Sequence, residues 1–323
     1  MRTIVGATFA VVFLSATSLV SAQSGYPDKP VRIVAGFVPG APADVMARVV
    51  GQKLSEYWSQ PVIVENLPGA VGNLGAARVA KAPADGYTIV ASGDAAMTTN
   101  VTLFGKQLPY DPTRDFAPIT LVALSTNVFS LHPSVPARNV KELVALAKAN
   151  PGKLSYASSG NGSSQHLAGE LLKKVSSVNI VHIPYKGPTL SIQDVLTGTV
   201  EMTFGNIVNT LPHVRSGKLR AIAVSSLKRW PHIPDVPAVA ETYPGFEAVA
   251  WFGFLAPGKT PEPIVQRLYG DTQKALAVPD VRTRLTDMGL EIVGRSPRQF
   301  ADQIKEEIVR KGQLIRDSGW KPD

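Results

Sequence analysis

The stretch 153–175 (K-L-S-Y-A-S-S-G-N-G-S-S-Q-H-L-A-G-E-L-L-K-K-V) constrains the fold more tightly than any other part of the chain. An Asn150-Pro151-Gly152 turn leads into a short run, 154–157, that reads as a strand. Leu167, Ala168, Leu171, Leu172 and Val175 then recur at helical spacing, so a helix begins near Ser163 or Ser164. Between strand and helix stand Ser158, Ser159, Gly160, Asn161, Gly162, Ser163 and Ser164, all small and none apolar. Small residues let a ligand reach the backbone, and a helix N-terminus points free N–H groups and a positive dipole end at it. The loop is therefore a candidate receptor for a small anion such as a carboxylate. Its tightness also admits a purely structural reading as a strand-to-helix turn. It is not a dinucleotide fingerprint, because Gln165 stands where the third glycine belongs, and it contains no Gly-x-Ser-x-Gly elbow.

The same device occurs near the start of the chain. An apolar run over 31–37 reads as a buried strand, and Val45, Met46, Val49, Val50 and Leu54 trace a helix. Phe37, Val38, Pro39, Gly40, Ala41, Pro42 and Ala43 link the two. Asp44 falls in the first helical turn, where the dipole favours a carboxylate; a capping role fits it better than ligand contact. Two anion-receptive loops so far apart predict one per domain, with the ligand between them as in a clamshell.

Strands over 62–65, 87–91, 179–183, 200–204 and 219–225 alternate with helices over 74–81, 140–149 and 190–196. That alternation predicts an α/β protein with mixed, mostly parallel sheets and helices on both faces. Asp94 ends one strand and Gly205-Asn206 another, which places all three where such sheets bind ligands, although Asp94 reads equally as a cap. The long β-rich run 117–131 suits a passage from one domain to the other, and the apolar run 248–255 suits a return. A helical tail over 262–277, 281–288 and 297–318 then packs back on the first domain. The expected division is 23–125 with 247–323 as domain 1 and 126–246 as domain 2.

Residues 1–22 have a different character. Arg2, an apolar run over 4–14 and Val20-Ser21-Ala22 read as a signal peptide cleaved after Ala22. The apolar run is too short to span a bilayer. The chain has no cysteine, which removes disulfides, thiol chemistry and a lipidated anchor. The expected product is a soluble periplasmic monomer. Its formal net charge is +8, or +7 without Arg2, but lysine and arginine are scattered and no basic run argues for nucleic acid. Of the five histidines, none stands in a metal-ligand spacing, so no metal or other cofactor is expected. His166, in the first turn behind the Gly-rich loop, reads as a cap, a core residue or a ligand contact. Ser163 or Ser164 with His166 makes a poor nucleophile–base pair within one helical turn, and catalysis has no positive sign.

Tyr26-Pro27-Asp28-Lys29-Pro30, Phe37-Val38-Pro39-Gly40, Val64-Glu65-Asn66-Leu67-Pro68-Gly69-Ala70 and Asp85-Gly86-Tyr87-Thr88 follow one another along the chain. Pro109-Tyr110-Asp111-Pro112, Tyr156-Ala157-Ser158-Ser159-Gly160-Asn161-Gly162, Ile183-Pro184-Tyr185-Lys186-Gly187 and Trp251-Phe252-Gly253-Phe254-Leu255-Ala256-Pro257 complete the series. In this order they resemble the periplasmic solute-binding proteins of tripartite tricarboxylate transporters, the Bug-type receptors. The resemblance implies two α/β domains joined by crossing strands and a carboxylate gripped by two loops, here 37–44 and 158–164. It also implies a membrane permease pair that receives the cargo. A role as an extracytoplasmic sensor for a membrane kinase is the alternative. The first loop of similar proteins often reads Phe-Pro-Pro-Gly-Gly-x-Thr/Ser-Asp, so Val38, Ala41 and Ala43 are departures, and Gly205 replaces a larger polar residue. The changes at Ala43 and Gly205 are expected to open the pocket and favour a bulkier or less polar acid over aspartate, glutamate or citrate.

Overall fold

The computed structural model describes residues 25–318; the leader over 1–22 and the expected mature start at Gln23 lie outside them. The chain builds two sheets in two lobes. The first begins with β1 (Val31–Ala35), α1 (Pro42–Trp58), β2 (Val62–Asn66), α2 (Asn73–Ala80) and β3 (Thr88–Gly93). A widened helical turn over Ala95–Thr99 runs into α3 (Asn100–Phe104), and β4 (Phe116–Ser125) closes this part. The second lobe carries β5 (Asn127–Leu131), α4 (Val140–Ala149), β6 (Ser155–Ser158), α5 (Ser164–Ser176), β7 (Val181–Pro184), α6 (Pro188–Leu196), β8 (Met202–Asn206), α7 (Ile207–Arg215) and β9 (Arg220–Val224). The chain then returns through β10 (Ala250–Pro257), α8 (Glu262–Ala277), α9 (Pro279–Asp287), β11 (Glu291–Arg295) and α10 (Pro297–Ser318).

The strand orders are β11-β4-β10-β3-β1-β2 and β7-β6-β8-β5-β9. Thr126 alone separates β4 of the first sheet from β5 of the second, and β10 brings the chain back. Every antiparallel pairing involves β4, β5 or β10, the strands at these crossings. The β1–β2, β1–β3, β6–β7 and β6–β8 pairings are parallel, as right-handed strand–helix–strand units require. The sheets are thus more evenly mixed than strand–helix alternation alone predicts.

Both sheets are covered on both faces. The central strands β3, β10, β5 and β8 are therefore buried along almost their whole length, while the edge strands β2, β7 and β11 are only partly so. Successive residues alternate between two cores: Ile33, Ile89 and Phe254 pack with Met46, Val50 and Leu54 of α1, while Val34, Val90 and Leu255 pack with Trp251 and with Phe300 and Ile304 of α10. In the second lobe Phe129, Tyr156 and Phe204 form the centre, with the Phe129 and Phe204 rings 4.1 Å apart.

Three elements were not expected from the sequence. Ala95–Phe104 is helical without a clear apolar period. α7 carries Pro212 in its interior, which reads as a breaker, yet Ile207, Thr210 and Leu211 hold one face in the core. β11 is short and half-buried, and it forms only by pairing with β4 at the sheet edge. The helical tail therefore contributes one strand to the first sheet.

Candidate ligand-binding site

Loop one is shaped by Asp44. Its carboxylate accepts from the Gly40 N–H (2.9 Å), Arg48 Nε (2.9 Å) and Asn66 Nδ2 (2.8 Å), and Asn66 also donates to the Phe37 carbonyl (3.0 Å). Burial pushes this carboxyl up, but the hydrogen bonds from Arg48, Gly40 and Asn66 together hold it below the usual carboxylate range. Asp44 is therefore a staple that folds 37–44 into a fixed curve.

Loop two is braced from within. Ser163 caps α5 by accepting the His166 N–H (3.2 Å), and Gln165 Oε1 accepts the Ser159 N–H (2.7 Å). Ser164 Oγ donates to Asn127 Oδ1 (3.1 Å), and Asn127 Nδ2 donates to the Ala248 carbonyl (2.8 Å), so the loop is tied to both crossing segments. Asn206 caps α7, its Oδ1 accepting from the Val208 N–H (3.3 Å) and from Ser125 Oγ (2.7 Å).

These loops enclose a chamber of about 50 Å³ between the lobes. Its wall includes Ala41 and Pro42 at the start of α1, Ala95 of the widened turn, Ser163, Ser164 and Gln165 at the start of α5, Pro188 of α6 and Asn206 of α7. Five helical segments thus turn their N-terminal ends to one small space. First-turn N–H groups have no intrahelical main-chain acceptor, and each helix adds a fraction of positive charge at that end. Pro42 and Pro188 themselves carry no N–H, and the caps Ser163 and Asn206 accept from the His166 and Val208 N–H groups. Phe37, Val71, Ala250 and Phe252 supply apolar wall, and Asn209 a side-chain amide. No lysine or arginine lines the chamber; Asp94 is its one ionisable residue.

A second recess of about 550 Å³ opens beyond it, sharing Phe37, Val71, Ser159 and Pro188 with the chamber. Gly160, Asn161, Phe104 and the Tyr185-Lys186-Gly187 turn line this vestibule, with Lys186 its one charged side chain. Val71, at the junction, has φ +52°, and Ala70 beside it φ +45°. A β-branched residue in the left-handed region is a true outlier, and strain of this kind gathers at ligand sites. The lobes touch around the junction: Asn209 Nδ2 donates to the Gly40 carbonyl (3.3 Å), and a Cβ on Gly160 would meet Val71 Cγ2 at 3.4 Å.

The residues singled out from sequence divide accordingly. Phe37, Ala41, Asp94, Ser159, Ser163, Ser164 and Asn206 line the chamber, and Gly160 and Asn161 the vestibule. Pro39, Gly40, Ala43, Ser158, Gly162, His166 and Gly205 line neither. Ala43 is fully buried in the first-lobe core with Met46 and Phe252. A Cβ on Gly205 would lie 2.3 Å from Thr210 Cγ2, so a threonine methyl already occupies the room beside it. Contrary to the expectation from the sequence, neither departure opens the pocket. The His166 ring stacks on His182 with centroids 3.7 Å apart, and its Nε2 lies 3.7 Å from Glu170. Ser158 Oγ is hydrogen-bonded to His182 Nε2 at 2.6 Å. Since Ser163 Oγ accepts His166's own main-chain N–H while the ring faces Glu170, no nucleophile–base pair forms. No group of three metal-binding side chains exists among the described residues.

Sequence reasoning missed Val71, Gln165, Pro188, Asn209, Ala250 and Phe252. Tyr185-Lys186-Gly187 and Pro68-Gly69-Ala70 were visible as turns, but nothing local said that they close a recess from opposite lobes.

Residues 46–320 match the family described as "Tripartite tricarboxylate transporter family receptor". The chain belongs to that family. It is 34% identical to Protein BugT of Bordetella pertussis over 96% of each chain. Among solved structures it resembles the periplasmic binding protein BugD (TM-score 0.86, 34% identity, 92% of this chain and 100% of that one). It also resembles an R. palustris protein solved with adipate (TM-score 0.88, 34% identity, with the same coverage). MatC from Rhodopseudomonas palustris, with bound malate, gives a TM-score of 0.84 at 34% identity over 90% of this chain and 100% of that one. The protein is accordingly a periplasmic-type solute-binding receptor with two mixed α/β sheets, and not an enzyme. No helix among its described residues is long and apolar enough to cross a membrane.

Proposed function

We propose that this receptor captures a small organic carboxylate in the chamber, between domains comprising 23–125 with 247–323 and 126–246. The observation that carries the reading is the convergence of five helix N-termini on a space without a basic side chain. Such a site attracts a negative group through oriented N–H dipoles and helix ends, with no cationic side chain to desolvate on binding. A chamber of about 50 Å³ has room for roughly three waters or one carboxylate group. The rest of the ligand extends past Val71 into the vestibule, along Phe37 and Pro188. Relatives solved with adipate and malate support a carboxylic cargo.

The apolar wall favours an aromatic or extended aliphatic acid over citrate, aspartate or glutamate, since hydroxyl and ammonium groups desolvated against Phe37 and Phe252 would lack partners. The loaded receptor delivers its cargo to the membrane subunits of a tripartite tricarboxylate-type transporter. It does so as a free periplasmic monomer after cleavage behind Ala22. A thermal-shift panel of aliphatic and aromatic mono- and dicarboxylates tests the reading, because a ligand at 100 times its Kd stabilises by about 2.7 kcal/mol. A flat panel, or citrate tighter than adipate in calorimetry, would overturn the assignment or the preference respectively.

A further inference from the structure

Asp94 sets this chamber apart from a plain anion trap. It lies on the wall, at the end of β3, and is 4% exposed. Lys311 of α10, itself 3% exposed, donates from Nζ to Asp94 Oδ2 (2.5 Å) and lies 2.8 Å from Glu307 Oε2. Thr98 Oγ1 of the widened turn accepts from the same ammonium (3.3 Å). Glu307 accepts from Trp251 Nε1 of β10 (3.0 Å) and Gln303 Nε2 (2.8 Å) as well. One ammonium therefore serves two carboxylates, and the buried cluster carries a formal charge of −1 when all three groups are ionised. No other charged side chain lines the chamber.

Resting on the reading of the chamber as an anion site, we propose that Asp94 takes up one proton from solvent as the ligand carboxylate binds, so that capture is coupled to protonation. An incoming carboxylate would otherwise raise the buried charge to −2 in a space with little water to screen it. Glu307 is the poorer proton acceptor, because it has two neutral donors besides Lys311 and lies off the chamber wall. Burial holds the Asp94 carboxyl above the usual carboxylate range despite Lys311, whereas for Glu307 the lysine and the two donors outweigh burial. Once protonated, Asp94 changes from an acceptor into an O–H donor on the chamber wall, a role that ligand anions can use. Affinity then falls by up to tenfold per pH unit on the alkaline side of the free receptor's Asp94 titration.

Calorimetry of adipate binding in buffers of different ionisation heat, between about pH 5.5 and 8.5, counts the protons taken up. The wild-type receptor should approach one proton per ligand within that window. Asp94→Asn should bind with a count near zero and a pH-independent Kd. Lys311→Met, in which Asp94 is already protonated before binding, should also count near zero. A ligand-free arm judges the proposal by itself: difference titration of wild type against Asp94→Asn should reveal one group titrating above the usual carboxylate range. A wild-type count of zero throughout, or Asp94 titrating like an exposed carboxyl, overturns the coupling. Failure of every carboxylate to bind would instead overturn the proposed function, and the titration would still decide the protonation of Asp94.

Discussion

Gly162 separates contacts that hold the ligand from contacts that hold the lobes together. It has φ +89°, and a Cβ built on it would lie 2.4 Å from Asn100 Oδ1 and 3.2 Å from Leu103 Cδ1, both across the cleft. Gly162→Ala carries two costs. The left-handed backbone costs an alanine about 1 kcal/mol wherever the lobes stand. The contact acts only when the lobes are apposed: Asn100 must withdraw by about 1 Å to restore van der Waals distance. Asn100 is fully buried, and its Nδ2 donates to Asn73 Oδ1 (2.8 Å). Withdrawal breaks that bond and leaves a buried donor unpaired, at about 1–3 kcal/mol. If capture requires apposition, affinity should fall by roughly ten- to a hundredfold, since about 1.4 kcal/mol is a factor of ten.

Gly217→Ala is the matched control, with φ +71° and no heavy atom within 4 Å of the added Cβ. It should lose the same stability in a thermal melt and keep wild-type affinity in calorimetry. A folded Gly162→Ala protein with unchanged affinity would refute the argument, because Asn100 would then not meet this loop in the liganded state.

Other outcomes follow from single contacts. Lys186→Met should weaken dicarboxylates by about three- to fivefold, the range of an exposed ion pair, while matched monocarboxylates bind unchanged in the same titration. Asp44→Ala removes the shared acceptor of the Gly40 N–H, Arg48 and Asn66 and should lower stability by about 1–2 kcal/mol in denaturant melts, with weaker binding as loop one loosens. Glu170 is pushed up by burial, but hydrogen bonds from His166 and Lys173 more than offset this and hold it down at about 2. A depressed folded-state value means that its stabilisation is complete above the unfolded value, about 4.5, and is lost as pH falls towards 2. Acid unfolding should therefore begin earlier in wild type than in Glu170→Gln relative to their neutral stabilities; parallel curves would show that Glu170 is not involved.

Much of this fold was legible because strand and helix periods are local. The spans of α4, α8 and α10 coincide with their apolar spacing, and both strand-to-loop-to-helix devices form where small residues precede a helical period. β11 was not legible, since its pairing with β4 depends on residues far away in sequence. The site shows the same division. Ser159, Ser163 and Ser164, picked out because a loop before a helix declares its own chemistry, line the chamber. Ala43 and Gly205 misled because sequence proximity to a loop does not say which way a side chain points. Val71 and Phe252, also on the chamber wall, were not singled out because an apolar residue carries no local sign of facing a cavity rather than a core.

The proposed grip by main-chain amides has a consequence for how such receptors diversify. A substitution cannot delete an N–H group except by introducing proline, so an anion grip of this kind is largely immune to point mutation. Phe37 and Phe252 line the wall with aromatic side chains that make no hydrogen bond, so each can drift with little effect on a main-chain grip. Cargo identity and cargo retention are thereby assigned to different atoms of the same cavity. A library randomised at those two positions should yield receptors for many different acids and very few that prefer a cation.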